Sequence, residues 1–307
     1  MRKPRALRDG DRIAVIAPAS PFSRDEFECG VNELRTLGFA PVYDDSVFDR
    51  QGYVAGPAEA RAKAFMSAWT DPSIAALVAV RGGYGSVQIL PWLDRTLVRN
   101  HPKAFIGYSD TTSLLTWLTQ QCDVVVFHGP MIEGRLARGE AGYDRDSFTR
   151  CLRRPEPIGE ISHDGVEVIR AGEARGVLLG GTLTQLTASL GTPFAFDPPS
   201  GFVLFIDEVG ERPFRLDRML TQLRLSGILG RASAVVFNEL PRCDEPGGTP
   251  SARSVVADLL QDFPGPVLYG LRSGHTAGAM VTLPFGVHAT VLTGTRPGLM
   301  IDESAVE

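Results

Sequence analysis

Lysine is nearly absent from this 307-residue sequence: Lys3, Lys63 and Lys103 stand alone among 31 basic residues, and the rest are arginine. Against 36 acidic residues the formal net charge is −5, so no basic footprint argues for nucleic acid. The lysine bias reads as genomic composition rather than function. Cysteine is scarce too. Cys29, Cys122, Cys151 and Cys243 form no CxxC pair, and a chain this long needs no disulfide to hold a core. The five histidines (101, 128, 163, 275 and 288) contain no HExxH and no pair at helical spacing, so no metal site is expected. No apolar run approaches the roughly 20 residues of a membrane span. Arg2, Lys3, Arg5 and Arg8 precede the apolar run Ile13–Ala17, but that run is too short for a signal-peptide core, and Asp9, Asp11 and Arg12 interrupt the approach to it. The expectation is a mature cytoplasmic protein whose first strand is Arg12–Ala17. There is no internal repeat and no low-complexity tract.

What is present is the composition of a folded protein: 43% hydrophobic, 22% charged and 8% aromatic residues. The length allows one large domain or two ordinary ones. Short apolar runs (Ile13–Ala17, Ile74–Val80, Ala104–Ile106, Val124–Phe127) end in Gly-, Pro- or Ser-rich turns and lead into amphipathic stretches. Near-continuous apolar strands alternating with helices predict a parallel sheet covered on both faces. Phe27, Val31, Leu34 and Leu37 mark one helical face, and Leu114, Leu115, Trp117 and Leu118 another. From Glu133 to about Arg175 the texture turns polar and Gly-rich, broken by a short helical piece around Phe148–Leu152, which predicts a connection between domains. Beyond it, Gly176–Gly181, Gly201–Ile206, Ala234–Phe237 and Val267–Tyr269 read as strands. Phe214–Leu225 reads as a helix with Pro213 near its start. Val281–Leu283 and Val287–Leu292, alternating across Pro284–Gly286, predict an antiparallel finish. The resulting division is an N-terminal α/β domain over 1–140, a connection over 141–175 and a smaller C-terminal α/β domain with a mixed sheet over 176–307.

Four local features carry chemistry. Gly107-Tyr-Ser-Asp-Thr111 lies between a strand and a helix, where a serine hydroxyl is exposed and the first helical N–H groups can face an oxyanion. Gly107 fits the small residue that a nucleophile elbow wants two places before the serine. Thr111 does not fit the one wanted two places after. Capping of the helix by Ser109 or Asp110 is the plain alternative. Arg81-Gly-Gly-Tyr-Gly-Ser86 follows a buried strand but is neither a P-loop nor a dinucleotide fingerprint, since no Gly-Lys-Ser/Thr follows and Gln88 replaces the third glycine. Its bare backbone suits one wall of an oxyanion hole, or simply a tight turn. Asp207 and Glu208 end a buried strand, and period-2 alternation points them to opposite faces. His275, in Ser273-Gly-His-Thr-Ala-Gly278, has His128 as its rival. Serine, acid and histidine therefore occur in a known triad order.

Taken together these motifs resemble the LD-carboxypeptidases, a family of serine peptidases that takes in murein tetrapeptide carboxypeptidases and microcin C self-immunity peptidases. The resemblance runs from Gly10-Asp-Arg-Ile-Ala-Val-Ile-Ala-Pro18 to about Pro284-Phe-Gly286. It rests on Arg81–Gly85, Ile106–Asp110, His128-Gly-Pro-Met131, Gly180-Gly-Thr-Leu183, Glu208–Glu211 with Asp217–Leu220, and Gly274-His275. It implies Ser109 as nucleophile, His275 as general base and the backbone N–H groups of Gly83 and Asp110 as oxyanion hole. The family's acid is a glutamate opening a Glu-Asp pair. Here the pair is inverted, so the matching position is Asp207, with Glu208 as the alternative. Arg81, Tyr84 and His128 are candidate substrate-binding residues. The implied fold is an N-terminal domain like the class I glutamine amidotransferases beside a smaller C-terminal domain, commonly in a homodimer, with no metal or cofactor.

The leading expectation is hydrolysis of the L,D amide bond that releases terminal D-alanine from cytoplasmic murein tetrapeptides in cell-wall recycling. Hydrolysis of microcin-C-type aminoacyl-nucleotide amides is the alternative within the same chemistry, and it would ask for an aromatic platform that the sequence does not reveal. A two-domain α/β ligand-binding protein explains the architecture but leaves the serine, acid and histidine to chance. A phosphosugar isomerase would want a phosphate cradle beside a cation, and Gly180-Gly-Thr182 has no lysine near it.

Overall fold

A computed structural model describes residues 1–307. The chain builds two sheets. The first is assembled from β1 (Arg12–Ile16), β2 (Ala40–Val42), β3 (Ile74–Ala79), β4 (Ala104–Gly107) and β5 (Val126–His128). Then come β6 (Gly159–Ile161), β7 (Glu167–Arg170), β8 (Ala174–Thr182), β9 (Phe202–Asp207), β10 (Ala232–Asn238), β11 (Val267–Leu271), β12 (Leu283–Phe285), β13 (His288–Leu292) and β14 (Gly298–Ile301). Strand order is β12-β5-β4-β3-β1-β2 in the first sheet and β6-β14-β13-β8-β9-β10-β11-β7 in the second.

The apolar runs become parallel strands. β1 to β5 pair in parallel, as do β8 with β9, β9 with β10 and β10 with β11. Every residue of β3, β4 and β9 is buried, as expected of strands covered on both faces. The helix Arg24–Thr36 buries Phe27, Val31 and Leu34, and Pro213–Leu225 starts with proline at N1 and buries Leu216, Leu220 and Leu223. Each such side chain contributes about 1.5–3 kcal/mol of burial. Thr112–Gln120 differs in having no wet face: Thr112 to Thr119 are all buried, because the helix is packed against β8 as well as β4 and β5. Its threonines remain tolerable there because Thr116 and Thr119 donate to carbonyls one turn back, Thr112 O and Leu115 O.

Period-2 alternation divides the second sheet between two cores. Val203, Phe205, Ala234 and Val236 join the core of the first sheet. Leu204, Ile206, Val235 and Phe237 face a separate cluster with helices Pro213–Leu225 and Ala252–Leu259. The two halves thus share a core rather than meeting only at a polar seam. Gly180 makes the β8–β9 contact possible, since a Cβ there would overlap the Phe205 carbonyl. No helix is long and apolar enough to cross a membrane.

Three sequence expectations need correction. The 141–175 stretch is more than a connection: besides the helix Arg145–Arg153, which contains the helical piece expected around Phe148–Leu152, it holds the strands β6 and β7, which occupy opposite edges of the second sheet. The second sheet, expected in the smaller unit, has eight strands against six. Finally, the segments around Pro284 do not pair with each other. β12 runs antiparallel to β5 at the edge of the first sheet, while β13 lies in the second. Proline explains the choice, because Pro284 has no N–H for a ladder on both sides and is tolerated at an edge.

Candidate active site

The C-terminal ends of parallel strands from both sheets converge on one region. In the first sheet the strand order reverses between β1 and β3, and the loops after β1, β3 and β4 crowd the carboxyl edge there, where open α/β sheets place ligands. In the second sheet, Thr182, Asp207 and Asn238 are the last residues of β8, β9 and β10, and His275 follows β11 by four residues.

Ser109 sits on the turn after β4. Tyr108 is still extended, Ser109 has φ +63°, and a single 3₁₀ turn then enters the helix at Thr112. Left-handed backbone at a serine costs about 1–3 kcal/mol and persists only where the surroundings enforce it. The misfit at Thr111 is resolved locally: a Cβ on Gly107 would lie 2.5 Å from Thr111 Oγ1, so the glycine makes room for the threonine, whose hydroxyl donates to Tyr108 O at 2.8 Å. Neither Ser109 nor Asp110 caps the helix through its side chain. Instead the buried Asp110 carboxylate accepts the Ser86 N–H at 2.8 Å, and Ser86 Oγ donates to Asp110 O at 2.6 Å. Burial pushes the Asp110 carboxyl up despite these bonds.

That pair of bonds ties the glycine loop to the serine turn. A Cβ on Gly82 would fall 2.9 Å from Ser109 Cβ, 3.0 Å from its Oγ and 3.2 Å from the Asp110 nitrogen, so only a bare Cα fits. Gly83, with φ +87°, presents an N–H that donates to no backbone acceptor. Ser20 braces the loop: it accepts the Tyr84 N–H at 3.0 Å and donates to Tyr53 O at 2.9 Å. Tyr84 and Tyr53 are both exposed, with ring centroids 5.6 Å apart at the rim. Arg81 is not free for a substrate carboxylate: it pairs with Glu133 at 3.1 Å and donates to Pro21 O at 3.1 Å.

Asp207 is fully buried and organises the other half of the site. Its Oδ2 meets His275 Nδ1 at 2.9 Å and accepts from Thr182 Oγ1 at 3.0 Å. Its Oδ1 accepts the His275 backbone N–H at 2.8 Å and Asn238 Nδ2 at 2.6 Å. Burial pushes this carboxyl up, but the charge and hydrogen bonds of His275 more than offset it, so Asp207 titrates below the usual carboxylate range. Burial likewise lowers the His275 imidazole, and the Asp207 charge and hydrogen bond reverse that, leaving it above its ordinary value. Glu208 points elsewhere, accepting the Thr184 N–H at 2.8 Å and the Thr184 hydroxyl at 2.7 Å. The Tyr108 ring, adjoining Ser109, lies edge-on to His275 with centroids 5.1 Å apart. No hydrogen bond joins Ser109 Oγ to His275; such contacts often close only around substrate.

His128, expected among the substrate-binding candidates, is sealed in at 0% exposure and cannot touch a ligand. Phe205 and Phe285 flank its ring, and its Nδ1 lies 3.0 Å from Ser273 Oγ. Because the Ser273 hydroxyl donates to Val281 O at 2.8 Å, Nδ1 is assigned as the protonated nitrogen. Its Nε2 has no partner and lies 4.0 Å from Asp207 Oδ2. Burial pushes the imidazole down to about 4.

Sequence reasoning singled out Thr182 only as part of the Gly180-Gly-Thr182 turn, not as a partner of Asp207, and missed Asn238. The available signal was position: each is a polar residue ending a buried apolar strand on the edge that carries Asp207. A cavity of about 620 Å³ along β1 and the helix Ala58–Thr70 is lined by none of Ser109, Asp207 and His275. No group of three His, Cys, Asp or Glu side chains is placed to hold a metal ion.

The comparisons with known proteins agree over nearly the whole chain. The LD-carboxypeptidase N-terminal domain matches residues 13–129 and the LD-carboxypeptidase C-terminal domain residues 175–291. A putative carboxypeptidase of Streptomyces coelicolor is 36% identical, covering 97% of this chain and 97% of its own. A probable murein peptide carboxypeptidase of Bacillus subtilis is 31% identical over 97% of this chain and 94% of its own. The crystal structure of a muramoyltetrapeptide carboxypeptidase from Oxalobacter formigenes superposes with a TM-score of 0.83 at 28% identity, over 95% of this chain and 99% of that one.

Proposed function

The chain belongs to the LD-carboxypeptidase family, and from that membership we propose that it is a serine carboxypeptidase releasing terminal D-alanine from murein tetrapeptides, with Ser109, His275 and Asp207 as nucleophile, base and acid. The observation that carries the assignment is the two-point grip of Asp207 on His275, at 2.8 and 2.9 Å, beside the ring of Tyr108, whose neighbour Ser109 has left-handed backbone. A carboxylate on Nδ1 keeps the hydrogen there and leaves Nε2 as the base.

His275 Nε2 takes the Ser109 proton as the oxygen attacks the carbonyl between the L-centre of diaminopimelate and D-alanine. The carbonyl π pair moves onto oxygen, and the Gly83 and Asp110 N–H groups receive that charge. As the intermediate collapses, the C–N bond breaks and imidazolium delivers its proton to the departing D-alanine nitrogen. Water, deprotonated by the same imidazole, then cleaves the serine ester and restores the hydroxyl. Asp207 stays ionised throughout and stabilises the imidazolium. By the family resemblance the substrate is a recycled muropeptide met in the cytoplasm, and the enzyme a homodimer.

The test is D-alanine release from L-Ala-γ-D-Glu-meso-diaminopimelyl-D-Ala by purified wild type and Ser109→Ala, beside an aminoacyl-nucleotide amide. Wild type should trim the tetrapeptide, and Ser109→Ala should lose about 10³-fold or more of kcat. A folded Ser109→Ala protein that still trims refutes the nucleophile, and preferential turnover of the nucleotide amide refutes the substrate.

A further inference from the structure

The loop that carries His275 is gripped by two charged side chains of opposite sign, one from each half of the chain. Arg135 belongs to the first half and is 6% exposed. Its Nη2 donates to Gly274 O at 2.8 Å and Thr276 O at 2.9 Å, the carbonyls on either side of His275. Its Nη1 donates to Gly278 O at 3.1 Å and to Gly142 O at 3.2 Å. Glu239 follows β10 in the second half. It accepts the Ala277 N–H at 3.0 Å and the Thr276 hydroxyl, and it pairs with Arg272 at 3.2 Å. The cation thus takes the loop's acceptors and the anion takes its donors. His275 itself is held by Asp207 on its N–H and by Asn238 on its carbonyl, at 2.6 Å.

Arg135 is buried without a carboxylate partner. A buried guanidinium costs several kcal/mol of lost hydration, repaid only when good hydrogen bonds satisfy its N–H groups. Here four backbone carbonyls do so, which suits the flat, rigid donor fork of arginine and not the single point of a lysine. Three of the four belong to one five-residue stretch centred near His275.

We propose that Arg135 is a positioning residue, reaching from the first half of the chain to set the backbone of the loop that aims His275 at Ser109. The base is then in place only while the halves are docked. The idea rests on reading His275 as the general base. A second consequence is electrostatic. The titratable and charged groups around His275 are Asp207, Glu208, His128, Tyr108 and Arg135, with Glu239 and Arg272 beyond the loop. Burial lowers the His275 imidazole, the Asp207 and Glu208 carboxylates raise it, and the Arg135 charge works with the burial to hold it down.

Arg135→Met keeps the aliphatic stem without donors or charge, and Arg135→Lys keeps the charge without the fork. Both should lose about 10²-fold in kcat with KM changed by less than about threefold, because misplacing a base harms the step more than binding. The acid limb of kcat/KM should move to higher pH in Arg135→Met and stay in place in Arg135→Lys, a split that simple loss of packing does not produce. Two readouts need no substrate: faster hydrogen exchange at the 274–278 amides in both variants, and an upward move of the His275 titration by NMR in Arg135→Met only. Those readouts separate failure of this proposal from failure of the peptidase reading. A folded Arg135→Met protein with wild-type loop exchange, an unmoved His275 titration and kcat within about threefold of wild type overturns it.

Discussion

Replacing Asp207 by asparagine tests the acid with almost no change in volume. The carboxylate now accepts from four donors: His275 Nδ1 and Thr182 Oγ1 on Oδ2, the His275 N–H and Asn238 Nδ2 on Oδ1. An amide offers one oxygen and one NH₂, so one pair of donors must face another donor. The Oδ1 pair cannot yield: a backbone N–H does not reverse, and turning the Asn238 amide would break its bonds to His275 O and from the Leu240 N–H. The NH₂ is therefore forced onto the Oδ2 side. There Thr182 can rotate its hydroxyl, but His275 must give up its Nδ1 hydrogen and carry it on Nε2 instead. The base facing Ser109 is then already protonated. The same tautomer error in other serine peptidases costs on the order of 10⁴ in kcat, or about 5.5 kcal/mol in the barrier. Stability should fall by only about 1–3 kcal/mol, the value of the impaired hydrogen bonds. The assay is D-alanine release, coupled to D-amino-acid oxidase, with thermal melting alongside. A folded Asp207→Asn enzyme within tenfold of wild type would refute the reasoning, as would a greater loss in Glu208→Gln, whose carboxylate is occupied by Thr184.

Gly82→Ala should lower stability by about 1–3 kcal/mol, since Gly82 is buried and only a bare Cα fits beside Ser109, while kcat falls by about 10²–10³-fold as the new Cβ crowds Ser109 Oγ and the Asp110 N–H; a folded variant with wild-type D-alanine release would show that no substrate oxygen passes there. For pH dependence, a base raised above its ordinary value is protonated over more of the acid range, so kcat/KM should climb with pH through an ionisation above that of a free histidine. Asp207, titrating below the usual range, should add no second limb between pH 5 and 8. A stopped pH series on the tetrapeptide checks this, and a limb below that of free histidine would contradict the Asp207–His275 pairing.

The parts of this protein legible in the sequence are those governed by local rules. Buried strands announced themselves by length and apolarity, and Pro213 marked a helix start. The opposite facing of Asp207 and Glu208 followed from the strand period alone. What could not be read depends on where separate segments meet. The edge strands β6 and β7 are short and half polar, so nothing in 159–170 distinguishes them from loop until a sheet edge is there to pair with. β12 joins the first sheet from almost the far end of the chain. His128 looked like a ligand-facing histidine because a strand end followed by Gly-Pro usually opens to solvent. Two phenylalanines more than 70 residues away close over it. Arg135 carried no signal at all, since its partners are carbonyls, which every residue has.

The inverted Asp-Glu pair shows how such distant contacts compensate a local departure. An aspartate carboxylate reaches one methylene less far than the glutamate that the family resemblance leads one to expect there, so the imidazole must come to it. A Cβ on Gly274 would lie 2.5–2.7 Å from all three carboxyl atoms of Asp207, which means the loop backbone already rests against the acid. That closeness is what allows the His275 N–H to make the second bond at 2.8 Å beside the Nδ1 contact. Gly274, at φ +74°, has both the bare Cα and the left-handed backbone that the approach demands. The short acid and the glycine therefore form one unit, and lengthening the acid to glutamate here would drive its carboxylate into the Gly274 backbone unless the loop withdrew from Arg135 and Glu239.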